Sequence, residues 1–363
     1  MTTIETKLAQ LGNRKDPRTG AVSLPIHLST AYEHPELGVS TGYDYTRTKN
    51  PTRTVLEEGL AELEGGTHAF VTSSGMSAIQ LVMQLFPLGS TFLVSRDLYG
   101  GSFRYFNDLE QRQMATFHYF TDEEDFEKQL NDTITAVIIE TPTNPLMQVV
   151  DLNKMVALAK QYDALVIVDN TLLTPLRQRP LLLGADLVIH SGTKFLTGHN
   201  DILAGVVVTN RPELGERLLW LSNTTGPTLS AFDCWLFIRS LKTLPLRFNQ
   251  QEANAKALVE ALKSNPKIKE VLYAGEGAML SIKLQDEQQI GPFLANLKIL
   301  TYAESLGGVE SLITYPTTQT HADIPKELRE SYGLTPDLLR ISIGIESAED
   351  LIQDVEQALA ALN

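Results

Sequence analysis

Cysteine is nearly absent. Cys234 is the only one in 363 residues, which excludes an internal disulfide framework and fits a reducing compartment. Its setting, DCWLF, is mostly apolar, so the thiol is expected to pack rather than attack. Long hydrophobic runs are lacking too. No stretch approaches the roughly 20 apolar residues a bilayer span needs, and the opening MTTIETKLAQLGNRKD carries no apolar signal-peptide core, so the expected location is the cytoplasm. Positive charge is scarce: Lys and Arg number 30 against 44 Asp and Glu, a formal net charge of −14. Without a clustered positive field, neither nucleic acid nor an anionic membrane is an expected partner, and small molecules remain. Finally, no GxGxxG follows an apolar run and no GxxxxGK[ST] occurs, which speaks against dinucleotide and P-loop chemistry.

What is present is ordinary globular material, 43% hydrophobic and 20% charged, in a chain long enough for about two domains. Residues 1–47 are rich in turn formers and polar groups and show no strong period, so they are expected to form an extended arm lying on something else. From about residue 68 to 210, short apolar runs (HAFVTSS, TFLVS, TFHYF, TAVIIET, LVIVDN, DLVIHS, AGVVVTN) alternate with helical stretches. Runs apolar on both faces and separated by helices predict an α/β fold with a mostly parallel sheet covered on both sides. A long amphipathic region is expected from about Ser230 to Lys263, followed by shorter strands (KEVLYA, MLSIKL, LLRISIGI) and a last helix over Ala348–Leu362. The expected organisation is an arm (1–47), a large α/β domain (48–240) and a smaller C-terminal α+β domain (241–363).

In such sheets ligands collect beyond the carboxyl ends of the strands. The residues just after the apolar runs are Ser74-Gly75-Met76, Tyr99, Asn144, Asp169, Ser191, Thr193 and Lys194. A lysine held at a strand end is partly desolvated, which lowers its pKa and frees the amine for Schiff-base chemistry. Asp169 ends LVIVD, where a buried carboxylate needs a cation or donors. A protonated pyridine nitrogen is such a cation. Ser74-Gly75-Met76 opens a helix, whose first N–H groups bind anions, and the hydroxyls of Ser191 and Thr193 can serve the same anion. Tyr99 could lay its ring on an aromatic cofactor. Singly, each has a plainer explanation: a solvated lysine, a helix cap, a core tyrosine. Their joint occurrence suits pyridoxal 5′-phosphate. His190 and His199 flank the lysine, but no carboxylate or cysteine stands at ligand spacing with them, so packing or hydrogen bonding is expected rather than a metal site.

The motifs YDYTRTKNPTR, SSGMSAI, DLYGG, ETPTNP, VDNT, HSGTKFLTGHND, AESLGGVESL and LLRISIGIE follow one another along essentially the whole chain. Their order and spacing resemble the Cys/Met-metabolism family of pyridoxal-phosphate enzymes, which includes cystathionine γ-synthase, cystathionine γ- and β-lyases and O-acylhomoserine thiol-lyases. The resemblance implies a fold-type I transferase with Lys194 as the Schiff-base lysine, Asp169 at the pyridine nitrogen and Asn144 at the ring's 3′-oxygen. It implies a phosphate cradle of Ser74, Gly75, Met76, Ser191 and Thr193, with Thr171 and Tyr99 also against the cofactor. Tyr45 and Arg47 look like the family's pair that reaches the phosphate of a neighbouring subunit, which implies a dimer and, by family habit, a dimer of dimers. Arg340 resembles the arginine that grips the substrate α-carboxylate, helped by Ser305, with Glu304 and Arg104 also on the substrate side.

Two departures stand out: GHND where GHSD is common, and NTLLTP where an aromatic often follows the threonine, which would leave a roomier wall at Leu172. The compact C-terminal part resembles the bacterial cystathionine γ-synthase/O-acetylhomoserine thiol-lyase branch. The expected reaction is therefore γ-replacement on an O-acyl-homoserine by cysteine or sulfide, with Tyr99 taking the ammonium proton and Lys194 shuttling protons. Thr48 stands where a cation could have met a succinyl carboxylate, which favours the acetyl ester. The competing readings are a lyase that cleaves cystathionine, and a non-catalytic ligand sensor on the same fold. Glu304 in AESLGG resembles the synthase and γ-lyase form, and intact Lys194, Asp169 and Arg340 argue against the sensor.

Overall fold

The computed structural model describes residues 2–362. Seven strands form the larger sheet: β1 (His68–Thr72), β2 (Ser90–Ser95), β3 (Ala115–Phe120), β4 (Ile134–Glu140), β5 (Leu165–Asp169), β6 (Leu187–Ser191) and β7 (Gly205–Thr209). Their order is β1-β7-β6-β5-β4-β2-β3. Only β7 runs against its neighbours, so the sheet is mostly parallel, as the apolar runs imply. Alternate residues of one strand enter different cores: Val206 and Val208 pack with Leu56, Leu60 and Phe237 on one face, while Val207 packs with Phe70, Phe92 and Phe106 on the other. Both faces are covered, which is why these strands read as continuous apolar runs.

A second sheet of five strands, in the order β10-β11-β12-β9-β8, is built from β8 (Ile268–Tyr273), β9 (Met279–Leu284), β10 (Thr301–Tyr302), β11 (Leu312–Thr314) and β12 (Leu338–Ser342). One face packs on helices Leu244–Leu262 and Ala348–Ala360 through Leu258, Val259, Ile282, Leu339, Ile341 and Val355. The side-chain period of two then turns Arg340 and its register partner Ser281 the other way, toward the larger sheet. Ser281 Oγ donates to the Pro145 carbonyl at 2.7 Å. This seats Arg340 between the two sheets.

Two expectations are corrected, and two strands are added. The region 230–263 is not one amphipathic stretch but two helices, Ala231–Leu241 and Leu244–Leu262, with Pro245 in the first turn of the second, where its missing N–H is tolerated. The first residues are not wholly extended: Ile4–Gln10 is helical and buries Leu8. Strands β10 and β11 are two and three residues long, too short to show a pattern. The rest of the arm is irregular, with isolated bridges between Ala31 and Tyr45 and between Glu36 and Val39, and it exposes Val22, Leu28, Leu37 and Val39. Asn50 follows, whose Oδ1 accepts from Thr52 N (2.9 Å) and Arg53 N (3.2 Å) and so caps helix Pro51–Glu64. Such a cap is worth about 1 kcal/mol, and with Pro51 at the first helical position it explains the local sequence KNPTR.

Candidate active site

Strands β4, β5 and β6 are neighbours, and their carboxyl ends carry Glu140, Asp169 and Ser191 to one place, with Glu140 and Asp169 opposite each other in register. Below them opens a cavity of about 350 Å³, within the usual size range of small-molecule sites. Its lining contains thirteen of the residues singled out by sequence: Ser74, Gly75, Met76, Tyr99, Asn144, Asp169, Thr171, Ser191, Thr193, Lys194, Glu304, Ser305 and Arg340. Leu172, flagged as a wall residue, lines it as well.

At one end Ser74 caps helix Gly75–Met83, its Oγ accepting from Ser77 N at 3.0 Å. A Cβ on Gly75 would lie 3.0 Å from both Cβ and Oγ of Ser191, tight enough to push Ser191 aside, so glycine eases the close approach of the helix start to the tip of β6. The first N–H groups of a helix lack partners within it and carry the positive end of its dipole, which makes this corner suited to a phosphate. Thr193 Oγ is tied locally, accepting from Ala204 N (2.9 Å) and donating to Ala204 O (3.2 Å).

Asp169 is half-buried at the tip of β5, and this desolvation raises its pKa while the hydroxyl and N–H of Thr171 hold it down. Thr171 Oγ donates to Asp169 Oδ1 and accepts from Ser191 N at 2.8 Å, locking the tips of β5 and β6 together. Behind them His190 Nε2 and Glu64 Oε1 meet at 2.6 Å, both almost inaccessible to water, and Asn170 Nδ2 donates to the same carboxylate at 3.2 Å. His190 is therefore a hydrogen-bonded structural residue, and His199 Nδ1 likewise lies 2.7 Å from the Thr197 carbonyl.

Lys194 follows β6, and its Nζ donates to Ser305 Oγ at 2.9 Å. Burial, helped by the Arg340 charge and opposed by Glu304, pushes its amine down to about 8. Ser305 sits at φ 91°, a backbone region that costs a non-glycine residue about 1–3 kcal/mol and persists only when its surroundings impose it. Its carbonyl accepts from Arg340 Nη2 at 2.7 Å. Arg340 is fully buried, donating from Nη1 to Asn144 Oδ1 (3.0 Å) and from Nη2 to Thr314 Oγ (2.9 Å), while its Nε has no partner. Among the described residues no carboxylate lies within ion-pair distance of this guanidinium, and burial pulls its pKa down to about 10. A buried cation with only neutral partners and a spare N–H is a site for an incoming anion.

Tyr99 opens helix Gly100–Gln111 and is half-exposed at the cavity. A Cβ on Gly101 would come within 2.5 Å of its ring, which accounts for the second glycine in DLYGG. Its backbone N–H donates to Glu140 Oε2 at 3.2 Å. Glu140 was missed by sequence reasoning although it ends TAVIIE just as Asp169 ends LVIVD. Burial, with the like charges of Asp169 and Asp97, raises its pKa well above the ordinary carboxylate range. Leu203, Leu306 and Thr320 also line the cavity without having been singled out. Three expected residues are not in this lining. Arg104 pairs with Asp323 in an exposed ion pair, so within the chain it does not face the cavity. Tyr45 and Arg47 lie on the arm, the guanidinium 5.5 Å from the tyrosine ring centre and its Nη1 donating to the Asn223 carbonyl at 3.1 Å.

The residues present fit pyridoxal phosphate: an amine of lowered basicity, a half-buried carboxylate for a ring nitrogen, and a glycine-opened anion corner. The model of the family described as Cys/Met metabolism PLP-dependent enzyme matches residues 5–360. A cystathionine gamma-synthase/O-acetylhomoserine (thiol)-lyase of Bacillus subtilis is 53% identical over 358 residues, covering 98% of this chain and 96% of that protein. A cystathionine gamma-synthase of Haemophilus influenzae is 51% identical over 362 residues, covering 99% of this chain and 98% of its own. The crystal structure of cystathionine gamma synthase from Xanthomonas oryzae pv. oryzae in complex with cystathionine matches with a TM-score of 0.97 at 41% identity, over 99% of this chain and 98% of that one. With the match running nearly end to end, the chain belongs to the Cys/Met-metabolism family of pyridoxal-phosphate-dependent enzymes.

Proposed function

We propose that this enzyme exchanges the acyl group of an O-acyl-L-homoserine, the acetyl ester in preference, for the sulfur of cysteine or sulfide, giving cystathionine or homocysteine. The observation that supports this most directly is the sharing of one cavity by Lys194, with its lowered pKa, and Arg340, a buried cation that lacks a carboxylate. An amino-acid substrate brings the missing carboxylate. The activity carried in the name of the Bacillus subtilis relative supports the choice of reaction within the family.

In this reading Lys194, Asp169, Asn144, Thr171 and Tyr99 hold the cofactor's ring, while Ser74, Gly75, Met76, Ser191 and Thr193 hold its phosphate. When bound, the cofactor supplies an electron sink for negative charge at the substrate Cα. Arg340 fixes the α-carboxylate by a bidentate fork, with Ser305 and Glu304 beside it. Tyr99 accepts the ammonium proton. Lys194, freed by the incoming amine, takes the Cα proton, releases it to the bound cofactor, then takes a Cβ proton, and returns protons to Cβ and Cα once the new bond has formed; each transfer by a placed base is worth about 10²–10⁴-fold. The Cγ–O bond breaks, the acylate departs, and the thiolate closes the new Cγ–S bond. The half-exposed Tyr45, Arg47 on the same arm, and the arm's exposed apolar residues support a homo-oligomer in which the arm completes the cavity of a neighbouring copy. We place the reaction in the cytoplasm and the domain boundaries at 47 and 240.

Product analysis tests the reaction. Incubation with O-acetyl- or O-succinylhomoserine, with and without cysteine, is expected to give cystathionine fastest from the acetyl ester. Breakdown of added cystathionine outpacing its synthesis would instead make the enzyme a lyase.

The lowered basicity of Lys194 gives a second expected result. A lysine of pKa about 8 is roughly one-tenth neutral at pH 7, about 300-fold more than at its ordinary value. Protein stripped of cofactor should therefore take up pyridoxal phosphate at a rate that climbs with pH and levels off just above 8, followed by absorbance. A rate still rising steeply at pH 10 would mean that Lys194 is an ordinary lysine.

A further inference from the structure

We propose that His321, which lies outside the cavity lining, is a positioning residue: a neutral imidazole, protonated on Nε2, that holds the loops of Tyr99 and Asn144 in place. The ring is wholly buried. Its Nε2 lies 3.2 Å from the carbonyl of Leu98 and 3.1 Å from that of Asn144. Carbonyls only accept, so Nε2 must be the donor, shared between the two. Nδ1 lies 2.8 Å from Thr320 Oγ, whose hydroxyl can donate to it. One imidazole thereby joins the residue before Tyr99 to Asn144, whose side chain accepts from Arg340.

The segment carrying His321 is seated tightly. A Cβ on Gly100 would come within 2.0 Å of the Thr320 carbonyl, and Arg329 Nη1 donates to the His321 carbonyl at 3.1 Å. The charged groups acting on the ring are Arg340 from β12 and Arg329 from helix Lys326–Ser331, both cations. The nearby Asp97 carboxylate is engaged with the Leu146 N–H at 3.0 Å. Burial first, then these cations, hold the imidazole down to about 4. The sign follows: the folded protein disfavours the protonated ring, so the stabilisation is complete above the ordinary histidine value of about 6.5 and is lost as pH falls from there toward 4.

The proposal rests on the cavity being the cofactor site but not on the identity of the substrate, so the test reads pyridoxal phosphate itself. Cofactor dissociation constants are measured by absorbance for the parent, His321→Ala and His321→Gln holoenzymes between pH 4 and 8, with kcat and KM alongside. Two buried carbonyls lose their donor in His321→Ala, and cofactor affinity and kcat should each fall about tenfold or more at pH 7.5. In His321→Gln an amide that can donate to both carbonyls should restore at least half of that loss, and cofactor retention should decline less between pH 6.5 and 4 than in the parent. Parent-like affinity in His321→Ala, or a His321→Gln variant no better than His321→Ala, overturns the positioning role. A parent protein that fails to hold pyridoxal phosphate at any pH sinks the reading of the cavity and this proposal with it.

Discussion

In Lys194→Ala protein, turnover falls by about 10⁴-fold or more, because the variant loses the group assigned to successive proton transfers and the amine that carries the cofactor's aldehyde. The prediction has a second face. Treating the parent protein with borohydride should fix the cofactor permanently and raise the mass of the peptide containing Lys194, whereas the variant should gain no such mass and should lack the absorbance band of the lysine-bound cofactor. Cofactor can still enter the variant's cavity, since Asp169, Thr171 and the Ser74–Met76 corner are untouched. This separates loss of the amine from loss of the site. Label found on a different lysine, or a decline in turnover below tenfold, would remove Lys194 from the chemistry.

Replacing Arg340 is expected to be nearly as damaging, but only for substrates that bear a carboxylate. Removing a fork of charged hydrogen bonds in a buried setting costs about 2–4 kcal/mol, or 30- to 700-fold in kcat/KM. Arg340→Lys keeps the charge but not the planar fork, and should recover only part of the loss. Because the guanidinium also holds Asn144 Oδ1 and the Ser305 carbonyl, the substitution loosens the cavity itself. An amine of the same length without the α-carboxylate isolates the two effects. Parent and Arg340→Ala should differ far less on that analogue than on the amino acid, and the ratio is the energy of the carboxylate contact. Equal losses on both substrates would leave Arg340 as scaffolding alone.

Much of this site could be read before the fold was seen, for a physical reason. In a parallel sheet the functional groups must stand where apolar runs stop, so Asp169, Ser191 and Lys194 announce themselves by position. Glu140 obeys the same rule and was still passed over, because the chemistry did not ask for a second carboxylate there. Only the register of β4 against β5 puts it beside Asp169. His321 was invisible for a different reason. Its partners are the main-chain carbonyls of Leu98 and Asn144, which no side-chain pattern encodes. Arg104 shows the opposite failure: its side chain turns to Asp323. The helix over Ile4–Gln10 and the break near Thr243 turn on packing and on one proline, both of which a hydrophobic period averages away.

Ser305 leaves a legacy beyond its hydroxyl. Exchanging it for glycine would relax the twisted main chain at that point while discarding the oxygen that steadies Lys194. A lineage selected only for heat resistance would tend to accept that exchange, and one selected for catalysis would refuse it. Robustness and turnover therefore pull this position in opposite directions, and an improved melting temperature here would signal a poorer enzyme.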